Sequence, residues 1–132
     1  MRMLSALIFD DVIAGTGTWY SSSELNNTIG AAETIVIQAC TTGVASGSEL
    51  TVQCESSPDN QNWDPTGGAG SPTPEIDGVT IDDDDSIVAA VTDLALLSHV
   101  RFKITLGAAG HKCRLKLYVT GRVAGGVSAG AS

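Results

Sequence analysis

Two segments near the end of the chain alternate strictly between apolar and polar residues, and this alternation constrains the fold more than any other feature. In residues 100–106 and 115–119 every second side chain is apolar, and those between are mostly basic. A period of two is typical of a β-strand that has one face in the core and one in water. The Gly-Ala-Ala-Gly sequence at 107–110 lies between them. Together these features predict an antiparallel hairpin with one apolar and one basic face.

The same pattern recurs upstream, whereas helical periodicity is weak throughout. Residues 3–13, 18–21, 33–40, 49–55, 76–81 and 86–91 read as further strands separated by turn residues. The chain contains 15 Gly and only 5% aromatic residues, which is typical of short strands joined by tight turns. We therefore predict an all-β fold, an antiparallel β-sandwich that is jelly-roll-like and has about eight strands.

The 132 residues favour a single domain. We assign residues 1–123 to one β-sandwich, in which 1–14 form an N-terminal strand or arm. Residues 56–75 form a long loop that holds all four prolines, and 124–132 form a tail rich in Gly, Ala and Ser. A structureless loop of this length inside a compact domain is usually functional or an interaction arm.

Charge is divided unevenly along the chain. The formal net charge is -8, which argues against nucleic acid as the main partner. Residues 1–100 hold one base and fifteen acids, and residues 101–132 hold six bases and no acid. These two poles are either a solvated surface with local compensation or complementary patches that steer docking between proteins.

No arrangement of residues favours catalysis, so we expect a protein that is not an enzyme and has no cofactor. The chain has two histidines, and no nucleophile elbow or phosphate-binding glycine loop. His111 and Cys113 lie two residues apart but lack further ligands in a metal-site spacing, and Asp82–Asp85 lack the alternating ligands of a calcium loop. A solvated turn is the favoured interpretation of the four aspartates. No segment is long and apolar enough to span a membrane, so we also expect no membrane partner.

The segment Ser57–Trp63 is the most distinctive local motif. Asp59 and Asn60 are suited to closing a turn through side-chain bonds to the backbone, and Trp63 then folds back over that turn. Two interpretations of Trp63 remain open. It plugs a hairpin corner, or it is exposed and stacks on a sugar ring, for which Trp19 is the alternative residue.

Two strands are apolar on both faces, which suggests an interface. In the first, Leu4, Ala6 and Ile8 share one face, while Leu7 and Phe9 share the other. In the second, Ile87, Ala89 and Val91 share one face, while Val88 and Ala90 share the other. The second face is covered either by another subunit or by the long loop. We favour a homo-oligomer and regard a trimer as plausible for a jelly roll.

Three stretches of the chain resemble a known group of proteins. Residues 50–63 are similar to the "strand, Ser-x-Asp-Gly-x-Asn-Trp" turn of small structural proteins of tailed phages, although Asn60-Gln61 stands where Gly is usual. Residues 100–106 and 115–122 are similar to the paired C-terminal strands of the same group. The resemblance covers residues 17–122 and is strongest to capsid decoration, or cement, proteins.

The resemblance implies a virion component on the capsid exterior, made in the cytoplasm of a host bacterium. Such proteins bridge capsomers of the major capsid protein, often as trimers. The residues we expect at the contacts are Leu4, Leu7, Phe9, Trp63, Arg101, Lys103, Arg114 and Lys116. The alternatives are a virion carbohydrate-binding module that binds a surface glycan, and a tail or head–tail structural protein of the same fold class.

Overall fold

In a computed structural model, which describes residues 2–21, 34–65, 74–82, 84–91 and 99–123, the chain is entirely β in structure. The described residues form nine strands: β1 Arg2–Ala14, β2 Thr18–Tyr20, β3 Thr34–Thr42, β4 Ser48–Ser57, β5 Asp64–Pro65, β6 Ile76–Ile81, β7 Asp85–Val91, β8 His99–Leu106 and β9 Lys112–Val123. Eight of them have three or more residues, and β5 is a two-residue strand. The part of the chain that the structure describes contains no helix that could span a membrane.

The strands form two antiparallel sheets. The first sheet has the order β1-β9-β3-β7. The second has the order β2-β8-β4, with β5 and β6 pairing with different parts of the far edge of β4. Apart from the run β4-β5-β6, every connection carries the chain to the opposite sheet. This shuttling between two sheets is the topology of a jelly roll, so the predicted fold class is confirmed.

The predicted hairpin of the last two strands is wrong. β8 pairs with β2 and β4 in the second sheet, whereas β9 pairs with β1 and β3 in the first. Residues 107–111 therefore cross from one sheet to the other. The alternation correctly predicts which side chains are buried, but it carries no information on which strand is the neighbour. Both strands turn their apolar faces inward, and in a sandwich those faces meet across the core.

The core lies between the two inner faces. Its fully buried aliphatic side chains include Ile35, Ile37, Leu115 and Leu117 from the first sheet. Leu50, Val52, Phe102 and Ile104 face them from the second sheet, and each is 0% exposed. This apolar layer excludes water from the middle of the molecule and supplies the main stabilising term of the fold. It also leaves two outer faces, one per sheet, as the surfaces available for function.

Candidate functional site

The predicted basic face does not exist as one surface. Arg101 and Lys103 lie on β8, on the outer face of the second sheet, while Arg114 and Lys116 lie on β9, on the outer face of the first. The two pairs are on opposite sides of the core. This correction follows from the absence of a β8–β9 hairpin, and it divides the predicted contact residues between two separate surfaces.

The outer face of the first sheet exposes large apolar side chains. Leu7 and Val12 on β1 are each 49% exposed, and Val88 on β7 is 64% exposed. Register places Leu7 opposite Tyr118, and Val88 opposite Gln38, so one row of side chains crosses all four strands. We call the outward residues Leu7, Val12, Val36, Val88 and Ala90 the apolar face. Polar side chains lie among these apolar ones. Gln38 lies between Leu7 and Val88 in the same row, and Asp10 lies between Leu7 and Val12 along β1, so this outer face is mixed.

Basic residues lie beside the apolar face. The Nη2 atom of Arg114 lies 3.0 Å from Oδ1 of Asp10, and both side chains are partly exposed. Asp10 is also directly opposite Lys116 across the β1–β9 pair. Because β1 supplies the carboxylate and β9 the bases, this corner combines opposite charges with neighbouring apolar groups.

The N-terminal strand contains an irregularity that overturns one expectation. The register of β1 against β9 shifts between Leu7 and Phe9, so Ile8 is an extra, buried residue at a β-bulge. Phe9 is opposite the buried Leu117 and packs against the core, so it does not share a face with the exposed Leu7. The backbone of Leu4 pairs with Gly121. The side chain of Leu4 and the tail 124–132 lie outside the described residues.

The outer face of the second sheet contains a groove of about 200 Å³. Its floor comes from β4 and β8, where Thr51 is opposite Thr105 and Gln53 is opposite Lys103. We call this the β4–β8 groove, and its lining is Thr51, Gln53, Glu55, Pro74, Lys103 and Thr105. All but Pro74 are outward residues of two central strands, so the sheet backbone fixes their spacing.

Arg101 is held firmly at one end of this groove. Its Nε donates to Oε1 of Glu55 at 2.8 Å, and the two side chains are only 22% and 11% exposed. The guanidinium carbon also lies 4.0 Å from the ring centroid of Tyr20 and 4.2 Å from that of Trp63. We call Arg101, Glu55, Tyr20 and Trp63 the arginine cluster. Sequence reasoning named Arg101 and Trp63 but not their contact, because that contact depends on the strand register.

The turn that carries Trp63 is closed by Asp59, as the sequence predicts. Oδ1 of Asp59 accepts hydrogen bonds from the backbone N–H of Gln61 at 2.9 Å and of Asn62 at 2.8 Å. The pKa of Asp59 is held well below its usual range by these hydrogen bonds, of which the one from the Asn62 backbone has the largest effect. Hydrogen bonds from the side chains of Ser57 and Asn62 lower it further. Asn60 adopts a left-handed conformation with φ of 62°, which Asn tolerates better than most residues. Asn60 therefore adopts the left-handed conformation for which Gly is usual at this position of the turn.

Glu75 occupies the gap between β5 and β6 along the edge of β4. Its Oε1 accepts a hydrogen bond from the backbone N–H of Cys54 at 2.6 Å. Partial burial raises the pKa of Glu75, and the hydrogen bond from Cys54 opposes that rise. The side chain satisfies a strand N–H at this edge and positions Pro74 beside the β4–β8 groove.

The remaining candidates are accounted for by local contacts. Oδ1 of Asp82 accepts bonds from the Ser46 hydroxyl and the Gly47 N–H. Nδ1 of His111 accepts the N–H of Glu49 at 3.1 Å, and the nearby Cys113 is buried in the core. Among the described residues no group of three or more His, Cys, Asp or Glu side chains is placed to hold a metal ion.

Trp19 is turned away from the surface on which a sugar would stack. It lies opposite the buried Ile104 and packs against the core. A Cβ on Gly17 would come within 3.2 Å of its indole ring, so this glycine allows the close approach. The structure therefore leaves Trp63 and Tyr20 as the surface aromatic rings of the second sheet, both of them against Arg101.

Comparisons with known proteins support the fold. No family model matches the chain, and no curated protein matches it. Among solved structures, the chain is similar to one from the structure of infectious bursal disease virus Gx strain, with a TM-score of 0.54, 11% identity and 94% of this chain covered. The match covers 32% of the viral chain, about a third of its length. At this identity the similarity establishes the fold alone, a β-sandwich.

A second similar structure is the CBM22-1 xylan-binding domain from Paenibacillus barcinonensis Xyn10C. The TM-score is 0.48 and the identity 10%, with 92% of this chain and 93% of that domain covered. The strand order, and not this second similarity, makes the chain a small jelly-roll β-sandwich with two outer faces of different chemistry.

Proposed function

We propose that this chain is a non-enzymatic virion structural protein that decorates a phage capsid from outside and stabilises it by bridging capsomers. The observation that carries the proposal is the apolar face, whose residues Leu7, Val12 and Val88 are 49%, 49% and 64% exposed. A contact that buries the part of each side chain still exposed is stabilised by about 1–2 kcal/mol per residue, because about half of each is already removed from water.

The occupant that we assign to the apolar face is the major capsid protein. A cement protein must add buried area across a joint between capsomers, and a flat sheet face of mixed apolar and basic residues is suited to that task. Arg114 and Lys116 lie beside this face, so an acidic shell surface would orient the docking. The similarity in fold to a chain of a virus is compatible with this proposal, as is the net charge of -8, which disfavours direct binding to DNA.

We further propose that the chain works as a homotrimer, because a bridge between capsomers is strengthened when several copies bind together. Light scattering after size exclusion tests this part. A mass three times that of the chain supports it, and a monomer at high concentration contradicts it.

The decisive experiment uses shells assembled from the major capsid protein encoded in the same genome. Wild-type protein should co-sediment with these shells and raise the temperature at which they rupture. Val88→Glu places a charge in the apolar face at a position 64% exposed, where folding tolerates it. We expect shell binding to weaken by about tenfold or more, because a charge and lost apolar burial each oppose the contact.

Lys103→Glu is the matched control, because it reverses a charge on the opposite outer face. It should leave shell binding and the rupture temperature unchanged. If Lys103→Glu abolishes binding while Val88→Glu does not, the docking face is wrongly assigned. If wild-type protein neither binds the shells nor shifts their rupture temperature, the decoration function is refuted. Recovery of the chain with tails instead of shells would favour the tail alternative.

A further inference from the structure

We propose that the β4–β8 groove binds a neutral saccharide, one ring at a time of a longer oligosaccharide. This activity goes beyond capsid decoration and uses the opposite outer face of the sandwich. It stands on the lining of the groove, its size and the rigidity of the side chains around it, and it does not depend on the proposal for the apolar face.

The lining has the chemistry that sugar hydroxyls require. Gln53 offers an amide, Thr105 a hydroxyl and Lys103 an ammonium group, so donors and acceptors alternate over two adjacent strands. Sugar hydroxyls both donate and accept, and they match such a mixed set better than an apolar ligand would. Pro74 is the one apolar residue in the lining.

The charge of the groove favours a neutral ligand. Two residues of the lining are charged, Glu55 and Lys103. The carboxylate of Glu55 is paired with Arg101 at 2.8 Å, whereas Lys103 forms no ion pair with any residue that the structure describes. A single ammonium group at the surface gives little affinity for an anion in water. Hydrogen bonds to several neutral hydroxyls therefore carry more of the binding than charge does.

The volume of the groove is suited to a single sugar ring. Its volume is about 200 Å³. Pockets for drug-sized molecules hold about 300–1,000 Å³. The groove is partly open to solvent on the sheet face, so a bound ring can be joined to further sugars. At one end it meets the arginine cluster, where Tyr20 is 46% exposed and is positioned opposite Lys103. An exposed phenol ring there offers a stacking surface to the next sugar.

The side chains are positioned before any ligand arrives. Oγ1 of Thr51 accepts the N–H of Gly78 at 3.0 Å, and Nε2 of Gln53 donates to the carbonyl of Cys54 at 3.3 Å. Glu55 is fixed by Arg101, which is itself held against two aromatic rings. Preorganisation of this kind reduces the entropic cost of ordering the site on binding.

The test is a titration of the full chain, followed by NMR of backbone amides, with four neutral probes: xylohexaose, cellohexaose, maltohexaose and mannohexaose. At least one should shift the amides of Thr51, Gln53, Lys103 and Thr105 with saturable binding below about 10 mM. Gln53→Ala should weaken that binding by about tenfold, since one direct hydrogen bond is lost. Lys103→Met should weaken it as well.

Gln38→Ala is the matched control, because Gln38 is also an outward glutamine in the middle of a strand but lies on the first sheet. It should bind the sugar as the wild type does. The proposal is overturned if none of the four probes shifts the groove amides, if the shifts map to the apolar face, or if Gln53→Ala and Lys103→Met bind unchanged. A hexaglutamate peptide is the final arm. If it alone produces the shifts, the groove is a peptide site and the saccharide assignment is wrong.

Discussion

Replacing Arg101 with methionine tests how much the arginine cluster stabilises the fold. Methionine keeps most of the aliphatic stem of the side chain but removes the guanidinium from Glu55, Tyr20 and Trp63. Each contact between guanidinium and ring is worth about 0.5–1 kcal/mol in a partly exposed setting. Glu55 is only 11% exposed, so leaving its carboxylate without a partner costs about 1–3 kcal/mol more. The free energy of unfolding should therefore fall by about 3 kcal/mol.

Thermal unfolding followed by tryptophan fluorescence is the assay. For a domain of this size a loss of about 3 kcal/mol lowers the melting temperature by about 10 °C. The emission of Trp63 should also change in the folded state, because the cation over its ring is gone. Arg114→Met is the matched control. It removes the ion pair with Asp10, in which the arginine side chain is 52% exposed, and should change stability by less than about 0.5 kcal/mol.

The reasoning about burial fails if the two arginine variants lose equal stability, or if Arg101→Met loses less than about 1 kcal/mol. A companion variant, Glu55→Gln, checks the unpaired carboxylate directly. Combined with Arg101→Met, it should cost less than the sum of the two single changes, because no buried charge is then left alone.

Three further predictions concern the turns and the edge of the second sheet. Asp59 has a depressed pKa, so its contribution to stability is present above its ordinary value of 3.8 and is lost as the pH falls. Asp59→Asn should therefore lower the urea midpoint near neutral pH, and the difference from wild type should shrink in acid. Glu75 has a raised pKa, so its contribution falls as the pH rises above its ordinary value of 4.5. Glu75→Gln should make urea midpoints flatter with pH in that range, and a steeper dependence would contradict this. Gly47 has φ of +84° with open space around it, so Gly47→Ala should cost about 1 kcal/mol through backbone strain alone. Gly110→Ala, also in open space but with no positive φ, should be neutral by thermal unfolding.

The fold class could be predicted because every second residue of a half-buried strand is apolar, and this pattern is visible in the sequence. Leu50, Val52 and Cys54 alternate with polar neighbours in the sequence, and all three are buried. Pairing could not be predicted in the same way. The alternation of the two last segments is compatible both with a hairpin and with strands in separate sheets, and in the structure they belong to different sheets. Alternation specifies a face, whereas topology depends on contacts between residues distant in sequence.

The candidate sites illustrate the same division. Asp59 and its turn could be predicted, because the bonds that close it join residues at most three apart. The bulge at Ile8 could not be predicted, because the apolar run Leu7-Ile8-Phe9 hides the loss of alternation. Strict alternation therefore predicts the wrong face for Phe9. The pairing of Arg101 with Glu55 joins residues 46 apart and requires the register of β4 with β8. The β4–β8 groove needs that register too.

The two proposed surfaces lie on opposite sides of the core, and this arrangement makes a final prediction. Stacked sheets are about 10 Å apart, and changes separated by more than about 7–10 Å with no shared contacts usually have additive effects. The double variant Val88→Glu with Gln53→Ala should therefore show the shell affinity of the first change and the sugar affinity of the second, each measured separately. With both partners present, wild-type protein bound to a shell should still take up the saccharide with its free affinity, because docking through the first sheet leaves the second sheet facing outward. Shell binding that competes with the sugar would mean that one of the two faces has been assigned to the wrong partner.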